Sequence, residues 1–272
     1  MNFQDKLNNI IEKNNSLVCV GLDSDFEKLP ESVKQKENPQ FEFNKAIIDA
    51  THDLVCAYKP NSAFYESLGD RGVRELKMTF DYINEKYPEV PTILDAKRAD
   101  IGNTNNGYVS FAFDWLEADA ITLQPYLGSE AIKPFLERTD KGSIILCRTS
   151  NPGAGEFQDL KIGDKPLYQI VAEKVANEWN ANNNCLLVVG ATYPEELGEI
   201  RKIAGDMTFL VPGIGAQGGD VEKTLKAGLN SQKKGLLINS SRGIIFKSSG
   251  DDFAEKAREE TLKLKEEINK YR

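Results

Sequence analysis

Eight short apolar runs, each followed by a longer amphipathic stretch, limit what this chain can fold into. The runs are Leu17–Leu22, Val55–Lys59, Thr92–Lys97, Ala120–Leu123, Ser143–Arg148, Cys185–Gly190, Thr208–Val211 and Gly235–Asn239. Strands buried on both faces, as in parallel sheets, read as continuous apolar runs of this length. The clearest helical patterns cover Glu66–Lys86, Asn103–Glu117, Leu167–Asn182, Pro194–Ile203 and Asp251–Tyr271. Repeated strand–helix units in 272 residues predict an α/β fold, a (β/α)8 TIM barrel forming a single domain over residues 1–272. No stretch reads as an interdomain linker. The Gly/Pro-rich segments Ser150–Glu156 and Pro212–Gly219 directly follow strands, so they belong to the face where barrels bind ligands. Asn180–Asn184 reads as a turn at the opposite face that serves only solubility.

Composition removes several function classes. A formal charge of −8 argues against nucleic acid or an anionic membrane surface as partner. No apolar run approaches membrane-spanning length. The start, Met1-Asn2-Phe3-Gln4-Asp5-Lys6, is polar and has no signal-peptide core, which predicts a cytoplasmic protein. Cys19, Cys56, Cys147 and Cys185 lie in or beside apolar runs without metal-ligand spacing and read as buried reduced thiols. With His52 as the sole histidine, set in a helical pattern, a Ser-His-Asp triad and a multi-histidine metal site are both excluded.

The chemistry is written at the strand ends. Asp95-Ala96-Lys97-Arg98-Ala99-Asp100 closes the third run. Strand alternation puts Asp95 and Lys97 on one face, while Asp100 lies beyond the strand in the following turn. Opposite charges on an inner face are costly unless paired or used. An isolated Asp-x-Lys reads as a structural ion pair, but similar polar groups end other strands. Examples are Gly21-Leu22-Asp23, Tyr58-Lys59-Pro60-Asn61, Thr122-Leu123-Gln124 and Arg148-Thr149-Ser150-Asn151. In a barrel these tips surround one mouth. Lys59, Asp95 and Lys97 would alternate in sign, with each pairing at about 4 Å worth on the order of 4 kcal/mol at an effective dielectric of 20. Flanking carboxylates keep such lysines protonated, which suits a proton donor better than a Schiff-base nucleophile.

The last two tips read as a phosphate site. Val211-Pro212-Gly213-Ile214-Gly215-Ala216-Gln217-Gly218-Gly219 supplies glycines for close backbone approach and Gln217 for amide donors. Asn239-Ser240-Ser241-Arg242-Gly243 adds the fixed fork of Arg242.

The ten residues Asp95-Ala96-Lys97-Arg98-Ala99-Asp100-Ile101-Gly102-Asn103-Thr104 closely resemble the signature of the orotidine 5'-phosphate decarboxylase family, in its longer bacterial and protist-type branch. The other strand tips, including Thr149-Ser150-Asn151-Pro152-Gly153, follow in the family's order over the whole chain. The resemblance implies a homodimer with shared active sites that converts orotidine 5'-phosphate to UMP and carbon dioxide, without cofactor or metal. It implies Lys97 as proton donor to C6 of the pyrimidine, Asp95 beside the scissile carboxylate, and Lys59 completing the charge network. Asp23 and Asn61 would lie at the ribose and Ser150 at the pyrimidine edge. Pro212, Gln217 and Arg242 would lie at the substrate, the last two on its phosphate. Asp100, with catalytic standing in the family, would reach into the partner subunit's site together with Ile101 and Thr104. Two alternatives remain: a magnesium-dependent sugar-phosphate decarboxylase or epimerase on the same barrel, and a non-catalytic nucleotide-binding barrel.

Overall fold

The computed structural model describes residues 1–214 and 219–272. The eight expected runs form the strands of one parallel sheet: β1 (Val18–Gly21), β2 (Ala57–Lys59), β3 (Ile93–Arg98), β4 (Ala120–Leu123), β5 (Gly142–Arg148), β6 (Cys185–Val189), β7 (Phe209–Pro212) and β8 (Leu236–Ser240). Their order is β2-β1-β8-β7-β6-β5-β4-β3, so the ends of the sheet are consecutive strands. Bridges Tyr58↔Thr92 and Asn61↔Asp95 join those ends and close the barrel. Every residue of β1, β2, β4, β6 and β8 is buried, which is why these strands appear in the sequence as unbroken apolar runs.

The principal helices are α1 (Phe3–Asn14), α2 (Pro39–Thr51), α3 (Gly69–Lys86), α4 (Thr104–Val109), α5 (Gly128–Leu136), α6 (Leu167–Lys174), α7 (Pro194–Ala204), α8 (Val221–Gly228) and α9 (Phe253–Asn269). Three expected helices are interrupted. The stretch from Glu66 divides into Ala63–Glu66 and α3, because Gly69 takes φ +63. Helices α4 and α6 continue as the π-helical segments Ser110–Trp115 and Val175–Trp179. No described helix is long and apolar enough to cross a membrane.

Helix α1, absent from the sequence-based expectation, closes the N-terminal end of the barrel. Asn2 caps it by accepting from Asp5 N, and Phe3, Leu7, Ile10 and Ile11 make its buried stripe. Phe3 N donates to Asp140 O at 2.9 Å, Lys6 pairs with Asp119 at 2.7 Å, and Thr208 Oγ1 donates to Gln4 Oε1 at 2.9 Å. These partners precede β4, β5 and β7. The plug leaves the opposite end of the barrel as its open mouth.

The Asn180–Asn184 turn also differs from expectation. Asn184 is buried and its amide donates to Leu136 O at 3.1 Å, while Asn182 Nδ2 donates to the same carbonyl at 2.9 Å. Asn180 Oδ1 accepts from Cys185 N at 2.9 Å. The turn therefore satisfies the carbonyl end of α5 and starts β6, a structural task rather than mere solubility.

Candidate active site

Asp95 is held from both sides of its backbone. Its N–H donates to Pro60 O at 3.0 Å, and its carbonyl accepts from Ser62 N at 3.2 Å, so the turn after β2 fixes this point of β3. Its carboxylate is fully engaged. Oδ2 accepts from Lys59 Nζ at 2.9 Å and Asn61 Nδ2 at 3.4 Å; Oδ1 accepts from Lys97 Nζ at 2.6 Å and Thr122 Oγ1 at 2.9 Å. Burial alone would push the Asp95 carboxyl up, but the two ammoniums outweigh it and hold it well below the usual carboxylate range. Burial would likewise lower Lys59, yet the Asp95 and Asp23 carboxylates keep it above the ordinary lysine value. Lys59 is therefore protonated throughout the neutral range, as expected.

The two lysines differ in access. The Lys59 side chain is 4% exposed, whereas that of Lys97 is 48% exposed and faces the mouth. Only Lys97 can present its ammonium to a ligand while keeping its carboxylate partner.

Simple alternation does not explain how Lys97 is aimed. Between the paired positions Leu94↔Ile121 and Arg98↔Leu123, β3 advances four residues while β4 advances two. The surplus forms a bulge, and Lys97 sits in it at φ +48, in the left-handed region that side-chain-bearing residues rarely occupy. The expected Asp95–Lys97 meeting does occur, but the bulge, rather than regular pleating, produces it.

These residues open into a cavity of about 630 Å³. Asp23, Lys59, Asp95, Lys97, Ser150, Pro212 and Arg242, all expected at the site, line it. Asn61 borders it through its contact with Asp95. Leu146, Val188 and Leu210, from β5, β6 and β7, add an apolar wall. Gly21 lets β1 approach the tip of β8, since a Cβ there would lie 1.8 Å from Ser241 Oγ. A further cleft of about 700 Å³, between α7 and α8, is lined by Glu196, Lys202 and Lys223 on the outer flank and holds none of the expected site residues.

The loop after β7 is tied at its base, where Gly219 N donates to Gly213 O at 3.1 Å. Gln217, expected at the phosphate, lies outside the described residues. Asp100, Ile101 and Thr104 do not line the cavity of their own chain. Asn105 pins their turn by accepting from Asp100 N at 2.8 Å and donating to Ala131 O at 2.6 Å, leaving Ile101 62% exposed.

Arg148 was expected among the mouth's charged tips, but it turns outward. It is buried, paired with Glu196 and with Asp159 at 3.2 Å, and lies over the Tyr193 ring at 4.6 Å. The bulge between Leu146 and Arg148 in β5 shifts the alternation there, which accounts for its direction. His52 stacks on Tyr87 at 4.2 Å, and its carbonyl accepts from Asn14 of α1 at the plugged end, away from the mouth. All four cysteines are free and buried, and burial pushes the Cys19 thiol up to about 12.

Sequence reading gives no role to two residues of the site. Gln158 accepts from Thr149 N at 2.9 Å and donates to Thr149 Oγ1 at 2.8 Å, fixing the strand end that carries Ser150. Gln158 ends the short helix Gly155–Gln158, which gives no advance signal. Thr122 stands near the end of the fourth apolar run, and its inward place opposite β3 is the signal that the sequence offers.

Comparison with known proteins identifies the family. The model of the Orotidine 5'-phosphate decarboxylase / HUMPS family matches residues 16–258. An orotidine 5'-phosphate decarboxylase of Cellvibrio japonicus is 52% identical, over 99% of this chain and 98% of the relative. One from Ralstonia pickettii is 47% identical over 100% of both. The structure of Leishmania donovani OMP decarboxylase superposes with a TM-score of 0.86 at 40% identity, covering 100% of this chain and 99% of that one. Leishmania donovani UMP synthase gives 0.88 at 40% identity; 99% of this chain is covered, but only 56% of that longer one. The chain belongs to the orotidine 5'-phosphate decarboxylase / HUMPS family.

Proposed function

We propose that this chain decarboxylates orotidine 5'-phosphate to UMP and carbon dioxide, in pyrimidine biosynthesis, by preorganised charge alone. One observation carries the reading: Asp95 has both carboxylate oxygens engaged by lysines that line the cavity, Lys59 buried and Lys97 exposed to its mouth. The C6–carboxylate bond breaks, carbon dioxide leaves neutral, and the electron pair stays on C6. No adjacent carbonyl can delocalise that pair, so a fixed positive charge must stabilise it. Lys97 supplies the charge and then transfers its proton to C6. Asp95 opposes the negative carboxylate of the substrate and favours its departure as a neutral molecule. Thus the network is complementary to the transition state rather than to the substrate.

Arg242 and Gln217 hold the 5'-phosphate and Pro212 lies at the substrate; Asp23 and Asn61 meet the ribose and Ser150 the pyrimidine edge. Binding of the remote phosphate supplies energy for excluding water at C6. The reaction needs no metal ion or cofactor. A divalent cation finds no free Asp95 oxygen and meets two ammoniums beside it.

A second copy of the chain completes the site. Exposed Ile101 lies on a turn linked to the β4 loop, where Gln124 Nε2 donates to Ala99 O at 3.2 Å and Tyr126 and Leu127 are also exposed. This apolar surface suits a homodimer in which Asp100, Ile101 and Thr104 enter the partner subunit's cavity. Neither nucleic acid nor membrane is a partner, and four buried free thiols suit the reducing cytoplasm.

The test is to follow the loss of orotidine 5'-phosphate absorbance with protein exhaustively treated with EDTA. Full turnover is expected. Activity lost on chelation and restored by Mg²⁺ would instead support the metal-dependent sugar-phosphate branch.

A further inference from the structure

Thr122 lines the cavity from β4, fully buried, and no step of the proposed chemistry uses it. Its hydroxyl is the meeting point of three hydrogen bonds. Oγ1 accepts from Ala96 N at 3.0 Å and Lys97 N at 2.9 Å, and donates to Asp95 Oδ1 at 2.9 Å. The first two are backbone donors in the β3 bulge, where the ladder between Leu94 and Arg98 provides no partner. The third is spent on the same carboxylate oxygen that holds the Lys97 ammonium.

We propose that Thr122 is a positioning residue for the decarboxylation: one hydroxyl fixes the left-handed backbone of Lys97 and the carboxylate that aims its ammonium. A hydroxyl has one proton and two acceptor lone pairs, and here all three are used in a single direction. With its proton committed to Asp95, both lone pairs are free for the two backbone N–H groups. A side chain lacking the oxygen would leave two donors orphaned at the point where the backbone is least regular. Lys97 would then shift relative to C6 without any direct loss of substrate contact. Asparagine or cysteine could not reproduce this: the first is larger, and the second accepts weakly.

This inference rests on the reading of Lys97 as proton donor, so the two are tested by different variants. Thr122→Val, which keeps the shape and removes the oxygen, is expected to lower kcat by about 10²-fold, the cost of an ångström-scale misplacement of a reacting group. KM and the affinity for UMP should stay within about threefold, and Thr122→Ser should restore kcat to within about fivefold of wild type, since it keeps the hydroxyl. A valine variant with wild-type kcat overturns the proposal. So does a serine variant no better than valine, or losses of kcat and UMP affinity in parallel, which would mark a merely structural role. Should the valine variant not fold, Thr122→Cys carries the same prediction, with UMP binding as the control for folding. Turnover surviving in Lys97→Ala would instead refute the proton-donor reading, whatever the Thr122 variants do.

Discussion

Asp95 shows how one carboxylate can be buried and still ionised. Taking a charge from water costs several kcal/mol, and only close opposite charges with full hydrogen bonding offset it. Lys59, Lys97, Asn61 and Thr122 supply that shell. The depressed Asp95 group stabilises the fold fully above its unfolded value, near 3.8, and that contribution fades as pH falls toward the lower folded value. Lys59, raised, contributes fully below 10.5 and loses its contribution only as pH climbs through its higher folded value. Between these limits neither Asp95 nor Lys59 titrates. Asp95→Asn should be less stable than wild type at neutral pH, by a margin that narrows as pH falls below about 4, in urea unfolding across pH. A margin that stays unchanged down to about pH 2 would contradict the assignment. Lys97 carries a second local cost, of order 1–3 kcal/mol for its left-handed backbone. The sequence pattern placed Asp95 and Lys97 together, but it held no sign of the bulge or the positive φ. Both arise from register against β4, which a local pattern does not encode.

At the scale of elements, strands and their tips were legible because burial on both faces leaves unbroken apolar runs. Helix ends were less so: Gly69 breaks one expected helix by adopting positive φ, and two others pass into π turns at positions with no composition signal. Arg148 illustrates the limit at the site. Its charge at a strand tip looked like a mouth residue, whereas a single-residue shift in β5 sends it outward to Glu196 and Tyr193. That outward clamp and Gln158 together hold the end of β5. Close packing of β6 then sets Ser150, because a Cβ on Gly190 would lie 2.8 Å from Ser150 Cβ and 3.1 Å from its backbone. Gly190→Ala should displace Ser150 and raise KM for orotidine 5'-phosphate by about tenfold or more, with the fold retained by circular dichroism. An unchanged KM would remove Ser150 from the substrate.

At the scale of the whole molecule, α1 seals one end of the barrel, and Asp23, Lys59, Asp95, Lys97 and Arg242 gather at the other. The second copy was implied by family resemblance rather than by spacing; exposed Ile101, Tyr126 and Leu127 are its physical support. If Asp100 acts across the dimer, mixing inactive Lys97→Ala and Asp100→Ala chains should regain about a quarter of wild-type activity, since half the dimers would carry one intact site. No recovery after proven subunit exchange would place Asp100 in its own chain's site.

The most direct measurement pairs turnover with product affinity in Lys97→Ala. If fixed charge and a proton from this ammonium drive the reaction, kcat should fall by at least about 10⁴-fold while UMP still binds. A variant that binds UMP and decarboxylates orotidine 5'-phosphate near the wild-type rate would contradict the account.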